Sequence, residues 1–191
     1  MRYFFIIKVL SILTITLLWS NTSHAFFIPL VAGCDETISN ANTFQQECAD
    51  DDELNVTSTG SISYSDHEAV DLVGESGVQI TNDGTIETAN GTGKDTAIDA
   101  ETSLNTTIIN NGTINSDNNS TIYIDYAENI TITNNSGATI SAEDDRAIQG
   151  RNVGWCDKAG NNNNCQSSLS SSGSTEVGLI LYNHGTIVSD K

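Results

Sequence analysis

A repeated motif with the sequence Asn-x-Gly-Thr-Ile most constrains the folds open to this chain of 191 residues. The motif occurs at 82–86, 110–114 and 183–187, in a stretched form at 134–140, and more weakly at 56–62. Its copies lie about 25 residues apart, a spacing typical of solenoid repeats, with one longer step before the last copy. The isoleucines that close the copies are Ile62, Ile86, Ile114, Ile140 and Ile187.

A second, shorter pattern separates the motifs and predicts strands. It reads Ala-Val-Asp-Leu at 69–72 and recurs in varied form at 97–100, 121–124 and 147–150. In both patterns apolar residues alternate with polar ones over short runs, which is the period of a β-strand and not of a helix. Each repeat is therefore expected to contain two or three short strands joined by turns.

Short strands recurring at a fixed period predict a parallel β-helix (solenoid) of about five coils, in which equivalent strands pair about 4.8 Å apart. We expect the closing isoleucines to point inward and to stack. The motif asparagines, which tolerate left-handed turns and can hydrogen-bond along the axis when stacked, are Asn82, Asn110, Asn134 and Asn183. The motif glycines, which we expect at left-handed turn positions, are Gly84, Gly112, Gly137 and Gly185.

The longer step between the last two motifs predicts a loop inserted into one coil at residues 151–176. This segment holds Cys156 and Cys165, which are expected to bond at the base of the loop, and a run rich in serine and glycine at 167–174. Trp155 is interpreted as a packing anchor where the loop leaves the coil, and contact with a partner is the alternative.

Residues 1–25 have the pattern of a secretory signal peptide. A positively charged start precedes an apolar run, and small residues stand at the −3 and −1 positions before a cleavage site between Ala25 and Phe26. The apolar run is short for a membrane span, which needs roughly 20 residues. A competing signal at 31–34 resembles a lipobox and would make Cys34 a lipidated N-terminus.

The charge of the chain excludes two classes of partner. Its formal net charge is −18, with 7 Lys+Arg against 25 Asp+Glu. Nucleic acid and anionic lipid are bound by clustered cations, which this composition does not supply. The surface is therefore expected to be acidic, self-repelling and soluble.

The four cysteines are expected to form local disulfides, because export leads to an oxidising compartment. Three pairings are possible, and proximity in the sequence favours Cys34–Cys48 and Cys156–Cys165. Zinc is the alternative, but neither pair has CxxC spacing or a neighbouring His. Residues 26–54 would then form an N-terminal cap on the edge of the first coil, with the repeats occupying 55–191.

A signal peptide followed by repeated Ile-x-Asn-x-Gly-Thr-Ile segments resembles the passenger domain of a Gram-negative autotransporter, over residues 55–190. The resemblance implies a right-handed, single-stranded parallel β-helix that is exported across the inner membrane and then displayed at the outer membrane or secreted. It also implies a β-barrel translocator in a longer chain, of which this sequence would be the N-terminal part. Without that barrel the chain is expected to stay in the periplasm.

The function expected from this resemblance is that of a non-enzymatic adhesin, stalk or shield, acting through the outer faces of the coils and the inserted loop. Its partners would be a host or neighbouring-cell surface or other passengers, with no nucleic acid and no small-molecule cofactor. One alternative is a carbohydrate-active β-helix enzyme, such as a polysaccharide lyase or hydrolase, which would need convergent carboxylates in a groove on one coil face. Another is a lipoprotein anchored at Cys34.

No residue is predicted to be catalytic. His67 and His184 occupy turn positions, and the segment 74–77 (Gly-Glu-Ser-Gly) does not match a serine-nucleophile motif. No metal is expected, although four adjacent carboxylates form a weak candidate for calcium. A solvated charge run that caps the first coil is the simpler interpretation of these residues, which are Asp50, Asp51, Asp52 and Glu53.

Overall fold

The computed structural model describes residues 32–89, 96–153 and 178–190 and shows a parallel β-solenoid. These residues form eighteen strands and no helix. The strands make three six-stranded sheets, in which every neighbouring pair runs parallel. The predicted all-β solenoid fold is therefore confirmed.

Each sheet takes one strand from every coil. Sheet A contains β1 (Ala32–Gly33), β4 (Gln46–Glu47), β7 (Val70–Asp71), β10 (Ile98–Asp99), β13 (Ile122–Asp125) and β16 (Ile148–Arg151). Sheet B contains β2 (Thr37–Ile38), β5 (Glu53–Val56), β8 (Gln79–Asn82), β11 (Thr107–Asn110), β14 (Ile130–Asn134) and β17 (Leu179–Asn183). Sheet C contains β3 (Ala41–Asn42), β6 (Ser61–Tyr64), β9 (Thr85–Thr88), β12 (Thr113–Ser116), β15 (Thr139–Ala142) and β18 (Thr186–Ser189). Four complete coils run from β4 to β15, with β1–β3 before them and β16–β18 after them.

The alternation of side chains along each strand fills the interior. In β11, Ile108 and Asn110 are buried while Thr107 and Ile109 are partly exposed. A buried isoleucine contributes roughly 1.5–3 kcal/mol relative to an exposed one, so stacks of such residues hold the coils together. The closing isoleucines pair in register through sheet C as Ile62, Ile86, Ile114, Ile140 and Ile187. A second stack in sheet B is formed by Leu54, Ile80, Ile108, Ile132 and Leu181.

A disulfide ties the first coil to the second. Cys34 follows β1 and Cys48 follows β4, and these strands are neighbours in sheet A. Both cysteines are buried in the core. The described part of the predicted cap, residues 32–54, thus supplies β1–β4 and the start of β5, at one end of each sheet. Because the Cys34 sulfur is bonded to Cys48, it cannot at the same time carry a lipid thioether.

The motif glycines differ from the expectation of left-handed turns. Gly137 has a φ of 88°, but Gly84, Gly112 and Gly185 do not have a positive φ. At Gly112 a Cβ atom would collide with the carbonyl oxygen of Gly84 in the preceding coil. The expectation is therefore wrong for these three positions, where glycine allows two backbones to approach closely.

Several of the predicted features lie outside the described residues. They are the signal peptide with its cleavage site between Ala25 and Phe26, Trp155, the pair Cys156 and Cys165, and residues 154–176 of the inserted loop. Among the residues that the structure describes, none belongs to a helix long and apolar enough to cross a membrane.

Candidate functional site

The first asparagine of each motif joins a hydrogen-bonded ladder that lies inside the solenoid, except at its last member, Asn183, which is exposed. Asn82 Nδ2 donates to Asn110 Oδ1 over 2.8 Å, and Asn110 Nδ2 donates to Asn134 Oδ1 over 2.9 Å. Asn134 Nδ2 continues the series to Asn183 Oδ1 over 2.9 Å. Asn82, Asn110 and Asn134 are fully buried, and Val56 occupies the equivalent place in the coil before Asn82.

The ladder also satisfies backbone groups at the turn into sheet C. Asn110 Nδ2 donates a second bond to the Thr139 carbonyl oxygen over 3.0 Å, while Asn110 Oδ1 accepts from the Gly112 N–H over 3.3 Å. Asn82 makes the same pair of contacts with Thr113 and Gly84. A buried amide is costly unless it is hydrogen-bonded, and here both ends of each amide have partners. The ladder is therefore a structural element rather than a binding site.

A parallel ladder runs along the outside. Asn111 Nδ2 donates to Asp83 Oδ1 over 2.7 Å, and Asn135 Nδ2 donates to Asn111 Oδ1 over 2.6 Å. His184 follows Asn183 at the next equivalent position and is exposed, as is His67. Both histidines thus lie at the surface.

The acidic run lies in the first complete coil, between β4 and the start of β5, and bonds both to the next coil and to a local turn. Asp50 Oδ1 accepts a hydrogen bond from the Ser76 N–H over 2.8 Å, and Asp52 Oδ2 accepts from the Ala49 N–H over 2.8 Å. Within residues 32–89, 96–153 and 178–190, no group of three or more His, Cys, Asp or Glu side chains is placed to hold a metal ion. Of the run Asp50, Asp51, Asp52 and Glu53, Asp50 thus links two coils and Asp52 closes a turn.

A groove lies on the outer face of sheet A, which the sequence did not indicate as a site. Its volume is about 480 Å³, and it crosses β10, β13 and β16. Every side chain that lines it carries a polar group. The lining residues are Glu68, Thr96, Asp99, Glu101, Asn119, Tyr123, Asp145, Arg146, Gln149 and Arg151.

The groove is assembled by the register of sheet A. The third residue of each Ala-Val-Asp-Leu pattern points outward, so Asp71, Asp99, Tyr123 and Gln149 stack in a row. The residue that precedes each pattern forms a second row, which contains Glu68, Thr96, Ser120 and Arg146. An alignment of the Ala-Val-Asp-Leu patterns would have shown different polar residues at matched positions. That variation is the signal by which the sequence could have indicated the groove.

Charges are segregated along the groove. At one end Asp99 lies close to Glu68, Asp71 and Glu101. At the other end Arg146 Nη1 is 3.2 Å from Asp145 Oδ1, and Arg151 Nε is 4.0 Å from the nearly buried Asp125 Oδ2. The carboxylates at the first end thus have no cation paired with them among the described residues.

Burial raises the pKa of Asp99 from 3.8 to about 7. The hydrogen bond from the Glu101 N–H, at 2.9 Å, lowers that pKa, and the charges of Glu68, Glu101 and Asp71 raise it. Burial also raises the pKa of Tyr123 to about 12, with help from the 2.9 Å bond that its hydroxyl donates to Asp125 Oδ2. At neutral pH the groove therefore contains a carboxyl group that is partly protonated and a phenol that stays neutral.

Comparison with known proteins does not extend these observations, because no protein-family model, no curated protein and no solved structure matches the chain.

Proposed function

We propose that this chain is an exported, non-enzymatic solenoid of the autotransporter-passenger type, which serves as a stalk or adhesin. The observation that supports it most is the filled interior: the ladders of isoleucine and asparagine occupy the inside of the coils. The side chains open to a partner therefore stand on the outer faces of the three sheets. Such a stack makes a stiff polar surface on which binding residues can be displayed.

Export is the first part of this proposal to test. The gene would be expressed in a Gram-negative host, and the protein would be recovered from periplasm, medium and cytoplasm for mass spectrometry. We expect a periplasmic or secreted product that begins at Phe26 and carries a Cys34–Cys48 disulfide. A cytoplasmic product that retains Met1 would contradict export, while a diacylated Cys34 would favour the lipoprotein alternative.

Adhesion is the second part. Purified protein, biotinylated at an added C-terminal tag, would be applied to intact bacterial and epithelial cells, with a shuffled-coil chain of the same composition as control. We expect saturable binding that is lost when the solenoid is unfolded. Binding equal to that of the control would remove the adhesin function and leave the stalk.

A carbohydrate-active enzyme is a second candidate because carboxylates and arginines converge in the groove on sheet A. General acid catalysis needs a carboxyl group that still holds its proton near neutral pH, and burial gives Asp99 this property. The test is incubation with polysaccharide panels, followed by assays for new reducing ends and for unsaturated products. Turnover by the wild type that Asp99→Asn abolishes would establish the enzyme and overturn the non-enzymatic proposal.

A further inference from the structure

The groove on sheet A has the dimensions of a ligand site and a wholly polar lining. At about 480 Å³ it falls within the usual range for pockets that hold a small molecule or a short stretch of chain. Its walls offer hydrogen-bond donors from Arg146, Arg151 and Asn119, and acceptors from Glu68 and Glu101. A ligand that fits this lining must itself carry many donors and acceptors.

A buried hydroxyl gives independent evidence for a missing partner. Thr96 lines the groove and is 2% exposed, yet its Oγ1 has no hydrogen-bond partner among the described residues. Buried hydroxyl groups are nearly always hydrogen-bonded. A polar ligand atom in the groove would supply the bond that the described residues do not.

The distribution of charge in the groove indicates the sign of the charge on the ligand. Glu68, Asp99 and Glu101 line one end of the groove without an ion-pair partner among the described residues. Arg146 lies in the same row as Glu68 but three strands further along, which is about 14 Å at the spacing of paired strands. Arg146 is also already paired with Asp145. The acidic end therefore favours a positively charged group on the ligand.

The position of the groove decides between a sugar and a peptide. Extended peptides bind by adding a strand to a sheet edge, but this groove lies on a face whose backbone groups pair with neighbouring strands. Aliphatic side chains, which would form pockets for a peptide, do not belong to its lining. Sugar hydroxyls, by contrast, match a wall of amides, carboxylates, hydroxyls and guanidinium groups.

We propose that this groove binds a carbohydrate chain that carries free amino groups, with the ammonium groups at Glu68, Asp99 and Glu101 and the sugar hydroxyls along Thr96, Asn119 and Gln149. The inference rests on the groove alone and does not depend on export or adhesion. It also holds whether or not the bound chain is cleaved.

Calorimetric titration of the mature chain with matched oligosaccharides tests the proposal. Tetramers of glucosamine, N-acetylglucosamine and galacturonic acid share a ring size but carry positive, zero and negative charge. We expect the glucosamine tetramer to bind at least about tenfold more tightly than the N-acetylated one, which is the factor that one charge-assisted hydrogen bond contributes. Galacturonate should bind most weakly.

Variants locate the site. Asp99→Asn keeps an oxygen that can accept from the Glu101 N–H and should weaken glucosamine binding about tenfold while leaving N-acetylglucosamine binding unchanged. Glu87→Gln, on the outer face of sheet C, is the matched control and should change neither. Circular dichroism melts check that both variants remain folded.

Three results would overturn the proposal. Equal binding of the glucosamine and N-acetylglucosamine tetramers would remove recognition of the amine. Binding of tetralysine as tight as that of the glucosamine tetramer would remove recognition of the sugar. Absence of binding by all three tetramers to wild-type protein would show that the groove is not a saccharide site.

Discussion

The asparagine ladder and the groove on sheet A are built from the same repeats but use them in opposite ways. In the ladder, the same residue recurs in four successive coils, and each copy satisfies the next. On the outer row of sheet A the matched positions hold Asp71, Asp99, Tyr123 and Gln149, which do not satisfy one another. Identical residues in successive coils thus stabilise the stack, whereas residues that differ from coil to coil give the outer face its varied polar side chains.

The largest expected effect comes from breaking the interior. Ile114→Asp places a charge without a partner in the stack of sheet C, where Ile114 is fully buried, and should cost about 4 kcal/mol or more and unfold the stack. The measurement is a thermal melt followed by circular dichroism. Ile109→Asp is the control, because Ile109 points outward from β11. A melt of Ile114→Asp that matched the wild type would show that the stack is not the core.

The internal and external asparagines can be separated within one motif. Asn110→Ala removes partners from Asn82, Asn134 and the Gly112 N–H at once, so we expect a loss of about 3 kcal/mol in the free energy of unfolding. Asn111→Ala, one residue later on the exposed ladder, should cost within about 0.5 kcal/mol. Urea denaturation of both variants measures the difference, and equal losses would contradict a special role for the inner ladder.

Reduction of Cys34–Cys48 should loosen one end and leave the centre intact. The bond closes a loop with a sequence separation of 14, and loops of that size contribute about 3 kcal/mol. Hydrogen exchange measured by mass spectrometry should show faster exchange in β1–β4 and little change in β8–β15. A uniform increase over all coils would show that the bond holds the whole stack together rather than its first coil.

An effect of pH on stability should mark the groove. The pKa of Asp99 is about 7 in the folded protein and 3.8 ordinarily. The stability that depends on a protonated Asp99 is therefore fully present below pH 4 and is lost as the pH rises through about 7. Asp99→Asn should therefore gain stability relative to wild type as the pH rises from 4 to 8, because asparagine carries no charge to bury. Urea midpoints at both pH values, with Glu87→Gln as the control, give the measurement. An unchanged difference between the two pH values would show that Asp99 is not held in a buried acidic setting.

Much of the fold could be predicted because it depends on recurrence, which is visible in a sequence. The spacing of Ile86, Ile114 and Ile140 gives the length of one coil. The short sequence separation of Cys34 and Cys48 indicates that they form a disulfide. The role of Gly84 and Gly112 could not be read correctly, since local rules connect Asn-Gly with a left-handed turn. In the structure these glycines are required by the approach of a neighbouring coil, which is a tertiary contact.

The groove was harder to predict than the fold because it lies where the repeats stop resembling one another. Asp99, Tyr123 and Gln149 are ordinary polar residues in the sequence, and only the parallel register brings them into one row. Burial then changes the pKa of Asp99, which no local pattern reports. Sequence periodicity thus reveals the scaffold, whereas the site requires the alignment of unlike residues across coils.

The asparagine ladder also has a polarity. Each side-chain NH2 is directed toward the later coil and each side-chain oxygen toward the earlier one, so the amide dipoles of Asn82, Asn110, Asn134 and Asn183 all point the same way. A coil docked in the reverse orientation would bring two NH2 groups face to face. A further coil, from the same chain or another, can therefore extend the ladder in only one orientation, and the two ends of the ladder are not equivalent.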